Sequence, residues 1–488
     1  MNKNLSELNP KAVWKHFQAI TQIPRPSFHE EAIRRHLLEF ARQQGLEAME
    51  DEAHNVIIRK PATPGMENRK GIVLQAHVDM VPQKNRDKEF DFEKDPIEAY
   101  IDGEWVTANG TTLGADDGIG VSAIMAVLES KDIKHGPIEA LFTATEESGM
   151  KGAFGLKPGL LKGEILLNLD SETEGELYVG CAGGLDSSMV FEYKAEPTPC
   201  CGYQAFEINI KGLKGGHSGI EIVLQRANAN KLMFRLLRTV NKTQELQLCS
   251  VDGGGLRNAI PREAKVVVLI RKGEEERLLK SVDDFSKLVN AEFAGIEDNI
   301  VVTATKTETP AEMIPNETAQ RLIRAVVACP DGLQRMSRSM KGLVQTSTNL
   351  ARIVSDGETV KLSCLMRSSV NSEKADLGEA ISAVFELAGA KVTLSGGYDG
   401  WKPNMDSPIL KAMTESYEAL YGVKPAILGI HAGLECGIIS GPYPEMDMIS
   451  FGPTICYPHS PDEKVGIESV AKFWDFLCHT LGNAPVKK

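Results

Sequence analysis

Three short apolar runs, Gly71–Ala76, Ile138–Ala144 and Glu164–Leu169, have the length of buried strands, and each stops abruptly at ionisable residues: His77, the pair Glu146-Glu147, and Asp170. Helical patterns alternate with these runs from residue 10 to 186, which predicts an α/β layer on a parallel or mixed sheet. One such helix comes after Ser27-Phe-His-Glu30, a capping-box pattern, with apolar residues Ile33, Leu37, Leu38 and Ala41 at helical spacing and Gly45 as its stop. Ligands of open α/β sheets sit beyond the carboxyl ends of the strands, so His, Glu and Asp delivered at three such ends predict one shared site. Taken singly, each is better read as a solvated polar residue ending a strand; only together do they favour the shared site.

The texture changes from about residue 187 to 399. Strands near 204–213, 263–272, 299–308 and 361–367 interleave with helices near 228–240, 277–291 and 316–328, an α+β pattern. Glycine-rich stretches, Gly180–Gly184 and Gly396–Gly400, flank this region as candidate hinges. A helix near 407–421, the run Met446–Phe451 and a closing helix near 467–483 return to the earlier pattern. The expected organisation is one domain from residues 1–186 and 400–488, split by an inserted domain over 187–399.

Composition narrows the partners. With 54 Lys+Arg against 67 Asp+Glu the net charge is −13, which opposes binding to phosphate backbones or anionic lipid, and nucleic acid and membrane are not expected partners. The nine cysteines form no C-x-x-C pair and read as reduced thiols. The polar start and the lack of a spanning-length apolar run predict a cytoplasmic protein.

The chemistry is carried by clustered imidazoles and carboxylates. In His77-Val-Asp79, residues two apart share a strand face, so Asp79 is placed to orient His77, as a carboxylate orients a metal-bound imidazole. Gly114-Ala-Asp-Asp-Gly118 holds vicinal carboxylates ahead of the apolar run Val121–Leu128; either they begin a helix or a divalent cation offsets their repulsion. Glu146 and Glu147 can serve one site only where their strand has ended, one binding metal while its neighbour takes a proton from water. His459 lies far away in the proline-bracketed Pro458-His-Ser-Pro461. Nitrogen and oxygen donors of this kind suit Zn²⁺ or Mn²⁺.

In order, Leu74-Gln-Ala-His-Val-Asp-Met80, Gly114–Gly118, Thr145-Glu-Glu-Ser-Gly149, Asn168-Leu-Asp170, Gly215-Gly-His-Ser-Gly219 and Pro458–Pro461 resemble the co-catalytic zinc peptidase superfamily of dipeptidases, aminoacylases and carboxypeptidases. Lys60–Arg69, Gly110–Gly114, Leu256–Arg262 and His431–Gly437 resemble its bacterial branch acting on aminoacyl-histidine dipeptides. The resemblance implies a zinc-peptidase-type catalytic domain, a mixed sheet with helices on both faces, and an inserted α+β lid. It implies two divalent ions per subunit, zinc first, with manganese or cobalt as substitutes. His77 and Asp170 match ligands of one ion, Glu147 and His459 those of the other, and Asp116 the bridging carboxylate across a cis Asp116–Asp117 bond. Asp79 matches the support of His77, and Glu146 the general base. Asp117 stands where close relatives carry Asn.

In the lid, His217 resembles the histidine that stabilises the developing oxyanion, while Asn258 and Arg367 match substrate-binding positions, Arg367 suiting a carboxylate clamp. Glu435 is a candidate partner for a substrate amine. A carboxylate anchor one residue from the metals favours dipeptides, and the resemblance alone implies His as the second residue and a homodimer through the lid. The competing readings are an aminoacylase or carboxypeptidase with the same metal site, and a noncatalytic binding protein, which the intact ligand set disfavours.

Overall fold

The computed structural model describes residues 4–487, which divide into two compact units. The first comprises the chain up to Gly180, Pro403–Gly429 and the residues from Leu434 onward. The second comprises Cys181–Lys402 and Ile430–Gly433.

The first unit is built on an eight-stranded mixed sheet in the order Glu47–Glu50, Val56–Lys60, Ile138–Thr143, Ile72–His77, Ile165–Asn168, Asp447–Ser450, Glu176–Cys181, Ala426–Ile430. The four strands from Ile138–Thr143 to Asp447–Ser450 are mutually parallel, and the first three, apolar along almost their whole length, are buried throughout. Parallel strands end on one side of a sheet, so Ile72–His77, Ile138–Thr143 and Ile165–Asn168 present their terminal residues and the loops after them at the same edge. The helix Ala115–Glu129 packs on Ile72–His77 and is buried along nearly its whole length, which explains its apolar character all round.

The helix Glu31–Gln44 stops as expected, at Gly45 with φ 69°, but its start differs from the expectation. Glu30 occupies the N-cap without a side-chain cap bond, and the capping box does not form. Ser27 instead donates its hydroxyl to Asp79 at 2.8 Å, and Glu30 accepts the Thr145 hydroxyl at 2.7 Å. Buried partners elsewhere in the fold outcompete a local cap worth about 1 kcal/mol.

The second unit is an antiparallel sheet whose main path runs Val301–Lys306, Tyr203–Lys211, Ala264–Arg271, Leu246–Gly254, Val344–Ser355, Thr359–Ser368, Gly183–Glu192, Lys391–Tyr398, with Gly332–Met336 beside Val344–Ser355. Helices Ala229–Val240, Glu275–Glu292, Asn316–Ala328 and Asn371–Leu387 contribute Phe234, Leu237, Phe285, Ile323 and Phe385 to its core. Gly183 and Gly184 lie inside a strand rather than in a hinge. A Cβ on Gly183 would sit 2.4 Å from the Tyr398 carbonyl oxygen, so close backbone approach, not flexibility, calls for glycine there.

Candidate functional site

His77 is the last residue of its strand and almost fully buried. Its Nε2 lies 3.0 Å from Asp116 Oδ1 and 3.3 Å from Asp170 Oδ1, while Nδ1 lies 3.3 Å from Asp79 Oδ1. Asp79 is itself enclosed: Oδ1 accepts the Glu146 N–H at 2.9 Å, and Oδ2 accepts the Glu147 N–H at 3.2 Å and the Ser27 hydroxyl. One buried carboxylate thus orients the imidazole and fixes the turn that carries both glutamates.

That turn begins where Ile138–Thr143 has ended and Thr145 takes φ 53°, which releases Glu146 and Glu147 from strand alternation. Both come within ligand range of His77. Glu147 Oε2 lies 3.0 Å from His459 Nε2, and Glu147 Oε1 is buried without a hydrogen-bond partner. His459 arrives from its loop with φ 58° and places the same Nε2 3.1 Å from Asp116 Oδ2. Asp116 therefore turns one oxygen to each histidine.

The vicinal aspartates divide two tasks across a cis peptide bond. Asp116 faces the histidines; Asp117 caps the following helix through the Gly120 N–H at 3.1 Å and accepts the His77 N–H at 3.3 Å. The helix start thus falls to Asp117, while Asp116 is left facing the two histidines.

Electrostatics reflects crowding of carboxylates around two imidazoles. Burial opposes charge on His77, yet Asp170, Asp116 and Asp79 hold its imidazole well above the ordinary range. Hydrogen bonding to Asp116 and Glu147 pushes His459 up to about 11. Burial pushes Asp170 up to about 6, His77 opposing. Burial also holds Glu146 well above the usual carboxylate range, with His77 opposing and Asp170, Glu435 and Glu147 reinforcing it. Two triads, His77/Asp116/Asp170 and Asp116/Glu147/His459, each offer donor atoms within 4.8 Å of one another. Imidazole nitrogen and carboxylate oxygen, with a buried unclaimed oxygen on Glu147, fit a hard or borderline divalent cation.

Glu435 is fully buried in the first unit. Its Oε2 accepts Gln75 Nε2–H at 2.6 Å and the Thr143 hydroxyl at 2.7 Å, leaving Oε1 without a partner, and burial pushes the carboxyl up to about 8.

Three further residues singled out in the sequence come together in the second unit. His217 Nδ1 accepts the Gly219 and Ile220 N–H groups at 3.2 and 3.1 Å, so Nε2 carries the proton and is the outward donor. Burial and the neighbouring Arg367 lower its pKa and favour that neutral form. Gly219 leaves room beside it: a Cβ there would lie 3.0 Å from His217 Cε1 and 3.2 Å from Arg367 Nε. Arg367 is buried with Nε unpartnered, and the Asn258 carbonyl accepts the Ser218 N–H at 2.8 Å, holding Asn258 against the same loop.

Arg25 and Glu463 escaped the sequence reading. Arg25 donates to the carbonyls of Val78, Asp79 and Gly114, and Glu463 accepts N–H groups from Leu113 to Asp116. The one available signal was the glycine pair 114 and 118: a Cβ on either would lie 2.6 or 2.7 Å from Arg25 Nη2.

Residues 73–483 match the model of peptidase family M20/M25/M40. The chain is 45% identical over 483 residues to the cytosol non-specific dipeptidase of Escherichia coli strain K12, covering 99% of each. Its structure is similar to the crystal structure of aminoacylhistidine dipeptidase from Vibrio alginolyticus, with a TM-score of 0.95, 50% identity and 99% of each chain covered. Aminopeptidase PepT from Bacillus cereus ATCC 10987 shares the fold at a TM-score of 0.58 and 16% identity, covering 98% of this chain and 99% of that one.

Proposed function

The chain belongs to peptidase family M20/M25/M40, and on that premise we propose that it is a metal-dependent dipeptidase, acting on Xaa-His among other dipeptides. The observation that carries the reading is Asp116, whose two oxygens face His77 and His459 in separate donor triads. His77, Asp116 and Asp170 would hold one divalent ion, and Asp116, Glu147 and His459 a second; zinc is the first candidate, manganese or cobalt substitutes. When bound, such ions polarise a carbonyl and bring the pKa of water toward neutrality.

The chain's own groups do the rest. Glu146 accepts the proton of the attacking water on its carboxylate and returns it to the leaving amine nitrogen. Asp79 keeps that carboxylate in place through the Glu146 and Glu147 N–H groups and keeps the His77 ring oriented. In the second unit, the His217 Nε2–H is the donor to a developing oxyanion, and Arg367 with Asn258 takes the substrate carboxylate. Glu435 Oε1 is the acceptor proposed for the substrate amine.

Residues 187–399 are proposed as the lid and as the contact in a homodimer. Ile220, Val223 and Leu224, exposed on the second unit beside His217, support an interface there. The name of the Escherichia coli relative supports a cytosolic location, and no helix among the described residues is long and apolar enough to cross a membrane. The deciding assay compares Xaa-His and other dipeptides with tripeptides and N-acyl amino acids, using zinc-loaded protein. Dipeptides are expected to be cleaved fastest; preference for N-acyl substrates would replace this reading with an aminoacylase.

A further inference from the structure

The donor groups of the two triads come from loops far apart in sequence, and something must hold those loops in register. Glu463 is 1% exposed, yet both carboxylate oxygens are fully used. Oε2 accepts the N–H groups of Leu113 and Gly114 at 2.8 and 3.0 Å, and Oε1 those of Ala115 and Asp116 at 2.7 and 3.3 Å. Four consecutive backbone donors converging on one carboxylate form a nest that fixes the segment leading into Asp116. Glu463 lies four residues beyond His459, and its own N–H is tied to the Ser460 carbonyl at 3.0 Å, so the same residue anchors the His459 loop.

Arg25 completes the frame from the other side. Its Nη1 donates to the Val78 and Asp79 carbonyls at 2.9 and 2.8 Å, just past His77, and its Nη2 to the Gly114 carbonyl at 2.5 Å. Gly114 thus gives its N–H to Glu463 and its C=O to Arg25, at φ 71° and without room for a Cβ. Buried Arg25 and Glu463 together join the His77, Asp116 and His459 segments through backbone hydrogen bonds.

We propose that Glu463, with Arg25, is a positioning residue that sets the Asp116 carboxylate between His77 and His459, so that two ions can share it. The inference rests on the metal-binding reading of the two triads. Glu463→Gln keeps the shape but turns an amide N–H₂ toward backbone N–H donors, so the segment must shift and Asp116 with it.

The test is titration of zinc chloride into the metal-free full-length chain, with circular dichroism to establish folding. Wild type is expected to bind two zinc ions per chain; fewer would overturn the metal reading itself, independently of Glu463. Folded Glu463→Gln is expected to bind zinc 10- to 100-fold more weakly, as for other residues that orient metal ligands, with kcat falling more than KM rises. Folded Glu463→Gln with wild-type zinc affinity and stoichiometry would overturn the inference. Glu463→Asp, which keeps the charge but shortens the reach, is expected to fall between the two. If neither variant folds, Glu463 is a determinant of the fold rather than a positioning residue, and the inference fails.

Discussion

At the residue scale, the site works by giving each carboxylate a separate task. Asp116 faces two histidines, Asp79 holds a ring and two backbone N–H groups, and Asp117 caps a helix. Glu146 is the proposed proton acceptor, and its loss removes a base without removing a ligand. Glu146→Ala is therefore expected to lower turnover by about 10²- to 10⁴-fold while bound metal, measured by elemental analysis, stays at the wild-type level. Protonation couples to metal in a defined direction. His77 and His459 both have raised pKa values in the metal-free chain, and as the proposed ligands they would have to lose their protons to coordinate, so zinc binding is expected to release protons. The apparent zinc affinity should rise with pH, and the calorimetric enthalpy should depend on the ionisation enthalpy of the buffer; an enthalpy independent of buffer would contradict the assignment of these ligands.

At the scale of elements, the parallel strands bring His77, Glu147 and Asp170 to one edge, and the Gly114–Gly118 segment fits around Arg25. Gly118 lies in a helix, where alanine ordinarily gains about 0.5–1 kcal/mol. Here a Cβ would lie 2.7 Å from Arg25 Nη2 and 3.0 Å from Phe17 Cε2, so Gly118→Ala is expected to lose about 1–3 kcal/mol, read as a lowered melting temperature. The strands were legible because fully buried apolar runs have a composition of their own, and their ends were legible because charge comes abruptly after them. Glu463 was not, since its role depends on N–H groups some 350 residues away, which no local pattern records. Ser27 misled for the same reason: its local pattern suits a cap, but Asp79 is the stronger partner. Strands such as Gly183–Glu192 and Val344–Ser355, with polar residues inside the sheet, offered no clean period and went unread.

At the scale of the whole molecule, the metal-free chain carries carboxyls, fully buried Glu435 and half-buried Glu172 among them, whose charged forms are poorly compensated. Burial raises Glu435 and Glu172 to about 8, above the ordinary 4.5 of an unfolded chain. A folded-state pKa above the unfolded one means stability that is fully present below about 4.5 and lost as pH rises through about 8. The melting temperature of the metal-free chain should therefore fall from pH 7 to pH 8, above the range in which buried histidines of lowered pKa such as His431 act in the opposite sense, and zinc should raise it most at the upper end, where deprotonated ligands bind best. A metal-free chain that grew more stable over that interval would contradict this assignment. That Ile430–Gly433 belong to the second unit was not legible, because four residues carry no periodicity.

Sharing of Asp116 by two ions is tested most directly by anomalous diffraction at the zinc edge, from crystals of the zinc-loaded protein. Two peaks per chain are expected, one flanked by His77 and Asp170, the other by Glu147 and His459, with Asp116 between them. A single peak, or peaks away from Asp116, would contradict it.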